Sequence, residues 1–352
     1  MTELQELYIE LLGHESESVR EEAVKALLEM LDTEVVDALQ ENARQNEHPG
    51  QLESVWLLGK AEDTQVTETL LELFKSSDPQ VREVVAGAFA EIGDVRALQP
   101  LIDGLNDESP TVKDAAAIAL GELRDSRAIK PLIAKLDEEQ IQQVAAWALA
   151  MIGDPQAVPP LKQAMLNDED PSMRGMAARS LGKLAHKDAD AAVVEGLDDE
   201  DESVLIEVIR VIGERRCLNA LSKLETMFET TEYERIKLAC SVAMARCGQG
   251  NNYLPFLLET LKSDSDWGAR LSAIMGLREM NLEQVEAALR AALDDSHWLV
   301  QKTAARSLLL MKDKEIYATL DSYLGEEEED IMQAVIETSF FELLEDDEDE
   351  DD

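Results

Sequence analysis

Two stretches of the chain decide the fold: residues 78–102 read DPQVREVVAGAFAEIGDVRALQPLI, and residues 109–133 read SPTVKDAAAIALGELRDSRAIKPLI. At a shift of 31 residues the same residue types coincide. The matched pairs are Val81 with Val112, Ala88 with Ala119, Asp94 with Asp125, Ala97 with Ala128, and Pro100 with Pro131. The chain therefore contains an internal repeat, and this period is typical of arrays in which each repeat packs on its neighbours.

The valine of these two stretches can serve as an anchor that carries the register through the chain. The anchors are Val19, Gly50, Val81, Val112, Ile141, Met173, Val204, Ile236, Ala269, Val300 and Ile331. Eleven units of about 31 residues therefore account for the sequence up to its acidic end. The sequence predicts a single repeat domain over residues 1–344, followed by a tail over residues 345–352.

Each unit is predicted to form two helices. Positions +4, +7, +8 and +11 after the anchor are mostly apolar, which is the spacing of one helical face. A turn with Gly or Asp follows, and a second apolar segment such as AIKPLIAKL has its proline early, where a helix tolerates it. These prolines are Pro100, Pro131, Pro160 and Pro255. The predicted fold is all-α.

The recurring pattern V-R/K-x-x-A-A-x-A-L-G-x-L-x-D-x-x-A-I-x-P-L resembles HEAT repeats, specifically the short class first associated with phycobilisome bilin lyases. It is strongest across residues 78–200 and weakest near 201–228, where the second helix is predicted to begin about three residues early. The resemblance implies a right-handed α-solenoid, a HEAT/armadillo-like superhelix. It also implies one alternative function, that of an accessory protein of the bilin-lyase type acting on a tetrapyrrole-bearing protein.

The composition limits the partners that the protein can have. With 75 acidic and 32 basic residues the formal net charge is −43, so long-range repulsion opposes nucleic acids and anionic membranes. The hydrophobic fraction of 45% is sufficient for a substantial core, and aromatic residues make up only 4%. The chain start lacks the pattern of a signal peptide, and no apolar run could span a bilayer. We expect a cytoplasmic protein, monomeric on its own.

Residues with the spacing of a catalytic or metal site are missing from the sequence. The four histidines are scattered over different repeats, and no nucleophile, zinc or phosphate-loop motif occurs. Cys240 and Cys247 occupy the apolar +4 and +11 positions of one predicted helix, so we interpret them as small core residues. The sequence therefore predicts a protein that is not an enzyme and has no cofactor, metal or catalytic residue.

A basic residue often follows the anchor, and an Asp often lies in the turn. The basic residues are Arg20, Arg82, Lys113, Arg174, Lys237 and Arg270, and the turn residues are Asp94, Asp125 and Asp154. The resemblance implies that the two sets form a charge ladder between adjacent units. The alternative is a row of anion-binding residues.

Positions +2, +6 and +10 fall outside the apolar face and are predicted to form an exposed stripe, which lines the concave surface in similar proteins. Repeats three and four contribute an acidic stretch with Glu83, Gly87, Glu91, Asp114, Ile118 and Glu122. Repeats five to eight contribute Gln143, Trp147, Met151, Gly175, Arg179, Lys183, Ile206, Arg210, Glu214, Leu238, Val242 and Arg246. These twelve positions hold four basic residues and one acidic residue, against the strongly negative chain.

This stripe favours a partner-binding groove, because aromatic, Arg and exposed apolar residues mark interaction surfaces. The hypothesis is a non-catalytic scaffold that binds a protein segment carrying acidic and hydrophobic side chains. The candidate contact residues are Trp56, Trp147, Met151, Arg179, Lys183, Arg210 and Arg246. The alternative is that the apolar residues pack on neighbouring units while the arginines neutralise nearby acids. Trp267 and Trp298 are predicted in turns, as caps over the apolar core.

Two acidic runs stand apart from the repeat, residues 326–330 and the tail, in which all eight residues are acidic. The tail is predicted to be disordered, because like charges repel and nothing apolar remains to bury. Its role is solubility, binding of a basic partner, or competition for the basic part of the stripe. A third hypothesis for the protein is therefore chaperone-like capture of basic proteins. The general acidity is also compatible with adaptation to high salt.

Overall fold

A computed structural model describes residues 1–45, 48–61, 63–280 and 282–312, and every regular element in these ranges is helical. The chain divides into two compact units, Met1–Ala192 (unit 1) and Val193–Asp352 (unit 2). Unit 1 contains α1 Glu3–Leu11, α2 Glu17–Leu28, α3 Thr33–Ala43, α4 Gln51–Lys60, α5 Thr67–Leu73, α6 Pro79–Ile92, α7 Leu98–Gly104, α8 Pro110–Leu123, α9 Ile129–Ile133, α10 Gln142–Ile152, α11 Val158–Asn167 and α12 Pro171–Lys183. Helix α13, Lys187–Glu195, crosses the boundary. Unit 2 continues with α14 Glu202–Arg215, α15 Leu221–Thr230, α16 Glu234–Met244, α17 Leu254–Ser263, α18 Trp267–Leu277, α19 Glu283–Ala291 and α20 Trp298–Lys312. The all-α prediction is confirmed.

The helices that carry the anchors, called first helices here, pack on one another in a row within each unit. In unit 1 this row is α2, α4, α6, α8, α10 and α12, and in unit 2 it includes α14, α16, α18 and α20. Most of the remaining helices pack closely on the first helix that follows them, as α5 on α6, α7 on α8 and α17 on α18. The compact hairpin therefore begins half a unit earlier than the predicted unit, because a period fixes the length of a repeat but not its starting point.

The anchors and the small residues behind them form the core between these helices. Val81, Val112, Ile141 and Met173 are buried in unit 1, as are Val204, Ile236 and Val300 in unit 2. The glycine of the A-L-G pattern marks the point of closest approach. A Cβ on Gly59 would lie 2.9 Å from the Cα of Ala88, and one on Gly213 would lie 2.9 Å from the Cα of Ala243. Only glycine permits this spacing of the first helices.

A short 3₁₀ turn precedes most of the second helices, and the turn Asp caps it. Asp94 accepts a hydrogen bond from the backbone N–H of Arg96 at 2.9 Å, and Asp125 accepts one from Arg127 at 2.9 Å. Asp63 and Asp154 cap their turns in the same way. Pro100, Pro131, Pro160 and Pro255 all fall within the first three residues of the helix that follows, as predicted.

The predicted charge ladder between adjacent units is present at Arg82 and Arg270, but its acidic partner is not the turn Asp, and Lys237 pairs with Glu234 of its own helix. Arg82 donates to both carboxylate oxygens of Asp107, at 2.9 and 2.7 Å, and Arg270 does the same to Asp295, at 2.8 and 2.7 Å. These acids lie five residues before the next anchor, whereas the turn Asp is occupied by its own 3₁₀ turn. The alternative of an anion-binding row is not compatible with Arg82 and Arg270, because both guanidinium groups are already paired.

Three further expectations of position are corrected. Near residues 201–228 the second helix begins in register, because the 3₁₀ turn Leu218–Ala220 lies as far from Val204 as Val95–Ala97 lies from Val81. Trp267 and Trp298 are the first residues of α18 and α20 rather than turn residues. Trp298 is 61% exposed and therefore does not act as a cap over the core. The eleventh anchor, the acidic run 326–330 and the tail lie outside the described residues.

Candidate protein-binding surface

The stripe positions of unit 1 lie on one side of the row α4, α6, α8, α10 and α12, which is called the first-helix face here. Two large apolar side chains are exposed on it, Trp56 at 41% and Ile118 at 43%. Trp147 and Met151 are half-buried, and Lys183 is exposed at the end of α12. The structure therefore brings five of the seven sequence candidates onto one face of unit 1, with apolar surface left in contact with solvent: Trp56, Trp147, Met151, Arg179 and Lys183.

The indole of Trp56 lies next to a charged side chain, that of Lys60. The Nζ atom of Lys60 lies 5.5 Å from the centre of the ring, which is within the range of a cation–π contact. The same Nζ donates to Glu91 on α6 at 2.6 Å, so the lysine bridges two successive first helices. The sequence analysis did not identify Lys60 as part of this surface. The register could have indicated it, because Lys60 is at position +10 of repeat two and Glu91 is at position +10 of repeat three.

Trp147 is partly a packing residue. A Cβ on Gly121 would lie 3.0 Å from Cζ3 of the Trp147 ring, so the indole fills the space that this glycine leaves on α8. Because the side chain is half-buried, only part of its surface is available to a partner. The alternative interpretation, that apolar stripe residues pack on neighbouring units, therefore describes one side of this ring.

Two carboxylates, those of Glu83 and Asp114, lie at the +2 positions of α6 and α8. The Oδ1 atom of Asp114 is buried and has no hydrogen-bond partner among the described residues. Burial raises the pKa of Asp114 and the nearby negative charge of Glu83 raises it further, while the positive charge of Lys113 lowers it in part. Within the acidic stretch predicted for repeats three and four, Glu83 and Asp114 therefore act on each other as like charges.

Positive charge follows at the other end of the same face. Arg179 is half-buried and Lys183 is exposed, both on α12, while the positions on α10 between them and the acids are Gln143, Trp147 and Met151. Along the first helices of unit 1 the stripe thus changes from acidic on α6 and α8 to uncharged on α10 and basic on α12.

In unit 2 the two predicted arginines lie in an ion network. Arg210 donates from Nε to Glu207 at 3.0 Å and also pairs with Glu214, which lies 3.6 Å from the guanidinium of Arg246. Burial opposes the charged form of Arg210, but its hydrogen bonds with Glu207 and Glu214 outweigh that effect and raise its pKa. For Arg246, which is 11% exposed, burial dominates and lowers the pKa. Leu238, expected in the exposed stripe, is buried.

Outside this face, the side chains to consider for chemistry are possible metal ligands and the three cysteines. No group of three or more His, Cys, Asp or Glu side chains in residues 1–45, 48–61, 63–280 and 282–312 is arranged to hold a metal ion. Cys217, Cys240 and Cys247 are buried, and burial raises the pKa of Cys240 to about 12. Among the helices that the structure describes, none combines the length and apolar character needed to cross a membrane.

The family model for HEAT repeats matches residues 49–110, 98–172, 158–245 and 254–340. Among solved structures, the chain is similar to Kap95 in a Kap95:Nup1 complex, with 15% identity and a TM-score of 0.62 over 92% of this chain and 54% of that one. It is similar to importin beta, with 16% identity and a TM-score of 0.59 over 88% and 54% of the two chains. The chain thus spans about half the length of either protein, and at this identity the likeness shows a shared α-solenoid fold.

A third similar structure is the complex of CpcE and CpcF of phycocyanin lyase from Nostoc sp.. The identity is 19%, and the match covers 71% of this chain and 95% of that one. Its TM-score of 0.39 is too low to support an argument about function. A search of curated proteins found none that matches this sequence.

Proposed function

Since this chain belongs to the HEAT-repeat family, we propose that it is a non-catalytic scaffold that binds a segment of a partner protein on the first-helix face of unit 1. The observation that carries the proposal is the exposure of Trp56 and Ile118 on that face. Large apolar side chains at the surface of an otherwise charged protein are typical of interaction sites. Trp147 and Met151 extend the same apolar surface onto α10.

The charges of this face are expected to orient the partner. Arg179 and Lys183 on α12 favour carboxylate groups of the bound segment, as their charge differs in sign from that of most of the surface. The hydrophobic side chains of the segment would then contact the row formed by Trp56, Ile118 and Trp147. Each of these contacts uses side-chain surface that the fold leaves at least partly accessible.

The proposed surface is limited to unit 1. In unit 2 the charges of Arg210 and Arg246 are balanced by Glu207 and Glu214, so the fold already uses these arginines. Their part in partner binding stays a prediction. The bilin-lyase accessory function and the capture of basic proteins also stay predictions. The same holds for a role of the acidic tail in such capture.

Site-specific photo-crosslinking in the native host tests the proposal. A photoreactive amino acid replaces Ile118 on the first-helix face, and in a matched control it replaces Leu166, which has similar exposure on α11. We expect a protein adduct from position 118 that is absent from position 166. Identical adducts from both positions, or adducts from position 166 alone, would contradict docking on this face.

A further inference from the structure

Three successive +6 positions on the first-helix face differ strongly in side-chain size, and this place is called the Gly87 notch here. It consists of Trp56 on α4, Gly87 on α6 and Ile118 on α8, with Glu83 and Asp114 at one end. Trp56 and Ile118 are exposed apolar side chains, whereas Gly87 contributes no side chain at all. Two apolar walls therefore flank a floor of bare helix backbone.

The floor of the notch is open. A Cβ built on Gly87 meets no described heavy atom within 4 Å, in contrast to Gly59 on α4, where it would meet the backbone of Ala88. Packed helices lie about 8–10 Å apart, so α4 and α8 are separated by about 16–20 Å across α6. That width accommodates an extended chain segment together with its side chains. Gly87 thus leaves space for a ligand, whereas Gly59 permits close packing.

The end of the notch at Glu83 and Asp114 carries two neighbouring negative charges, which the positive charge of Lys113 offsets only in part. The buried Oδ1 atom of Asp114 lacks a hydrogen-bond partner in the described part of the chain, and Glu83 adds a like charge beside it. The opposite end differs, because there Glu91 is already paired with Lys60 at 2.6 Å. A cation placed beside Glu83 and Asp114 would relieve the repulsion of the two carboxylates.

From this arrangement we propose that the Gly87 notch binds a partner segment in which a lysine or arginine lies next to aliphatic residues. The cationic head group contacts Glu83 and Asp114, and the aliphatic side chains pack on Trp56 and Ile118 over the backbone of Gly87. This inference rests on the proposed function and adds to it the charge of the segment at this point. An acidic segment would add a third negative charge to the two carboxylates at this end.

Fluorescence anisotropy of labelled peptides tests the notch on the full chain. The probes are a short lysine–leucine–serine peptide and its counterpart with glutamate in place of lysine. The measurement is made at about 0.15 M salt, where the Debye length of about 8 Å screens the attraction of distant acids. We expect the lysine peptide to bind and the glutamate peptide to bind at least about tenfold more weakly.

Two pairs of variants separate the notch from the general acidity of the chain. Gly87→Leu fills the notch, and Gly175→Leu, at a second helical glycine with open space, is its control. Glu83→Gln with Asp114→Asn removes the charges, and Asp37→Asn with Glu41→Gln removes two exposed acids of α3. We expect each notch variant to weaken the lysine peptide about tenfold and each control to leave its affinity within about twofold.

The opposite results overturn the inference. Equal weakening by a notch variant and its control would show that the peptide follows net charge rather than the notch. Stronger binding of the glutamate peptide, or no binding of the lysine peptide, would also contradict a cationic segment at this position. If the proposed function holds, crosslinking from position 118 would persist in all of these cases. Failure of the notch and failure of the scaffold function are therefore distinguishable.

Discussion

Arg82 on α6 and Asp107, in the turn before α8, are joined by two parallel hydrogen bonds of 2.9 and 2.7 Å. The guanidinium also donates to the carbonyl oxygen of Ser76 at 2.8 Å, and both charged side chains are largely buried. This geometry joins one first helix to the chain segment that begins the next, and Arg270 repeats it with Asp295 in unit 2.

A double-mutant cycle on this pair measures its contribution to stability. Arg82→Met and Asp107→Asn should each destabilise by about 3 kcal/mol, because each leaves a buried polar partner unsatisfied. The coupling in the double variant should be about 2 kcal/mol, measured by denaturant unfolding. The exposed pair Lys25 and Glu22, 3.9 Å apart, is the control and should show a coupling below about 0.5 kcal/mol. Similar couplings for the two pairs would contradict a structural ladder.

The cap at Asp94 predicts a defined pH dependence. Its carboxylate accepts hydrogen bonds from the side chain and backbone of Arg96 and from Thr67, which together lower its pKa from 3.8 to about 2. The stabilisation is therefore complete above pH 3.8 and is lost as the pH falls towards 2. Asp94→Asn should cost about 1 kcal/mol at neutral pH, and its difference from the wild type should shrink over that window.

Asp154→Asn is the control for this experiment, because Asp154 caps the backbone N–H of Gln156 and no basic side chain follows it. Its cost should be small, since Asn is also a good capping residue. Unfolding free energies measured from pH 7 to pH 2 compare the two variants. A cost of Asp94→Asn that stays constant down to pH 2 would exclude the proposed role of its charge.

The helical glycines of unit 1 predict alanine substitutions of opposite sign. Gly59→Ala should destabilise by about 1–3 kcal/mol, because its Cβ would lie 2.9 Å from the Cα of Ala88. Gly87→Ala should stabilise by about 0.5–1 kcal/mol, because its Cβ meets open space and alanine favours the helix. Thermal and denaturant unfolding check both changes. Destabilisation by Gly87→Ala would show that this position is not open.

Arg124 ends α8 with a left-handed backbone, φ 50°, at the position where Gly93 ends α6 and Gly153 ends α10. A side chain is strained in this conformation, whereas glycine is not. Arg124→Gly should therefore stabilise by about 0.5–1 kcal/mol, as measured by denaturant unfolding. Arg124→Ala retains the Cβ and should give no such gain. An equal gain from both variants would attribute the effect to the removed charge instead.

Much of the fold was predictable because core positions repeat. The anchors, the early prolines and the all-helical architecture follow from apolar residues at helical spacing, which stacking requires in every unit. The starting point of the hairpin was not predictable, since a period carries no origin. The partner of Arg82 was missed for a related reason: Asp94 and Asp107 both lie in turns, and only the three-dimensional packing shows which one the guanidinium reaches.

The candidate surface was predictable only in outline. The +6 spacing places Trp56, Ile118 and Trp147 in one row, but the amount of each ring that the neighbouring helix covers depends on residues such as Gly121. The engagement of Arg210 by Glu207 is a contact between residues three apart on one helix. Helical spacing could have indicated this contact, but a count of charges at positions +2, +6 and +10 does not include Glu207, which is at position +3.

The central claim is that a partner docks on the first-helix face of unit 1, and the most direct measurement is the affinity of the crosslinked partner for two tryptophan variants. Trp56→Ala removes an exposed indole from the face, and Trp298→Ala removes a more exposed indole from the start of α20. We expect Trp56→Ala to weaken binding by about 1–2 kcal/mol, or about tenfold, and Trp298→Ala to leave it unchanged. Wild-type affinity of the Trp56→Ala variant, with or without a loss in Trp298→Ala, would contradict the claim.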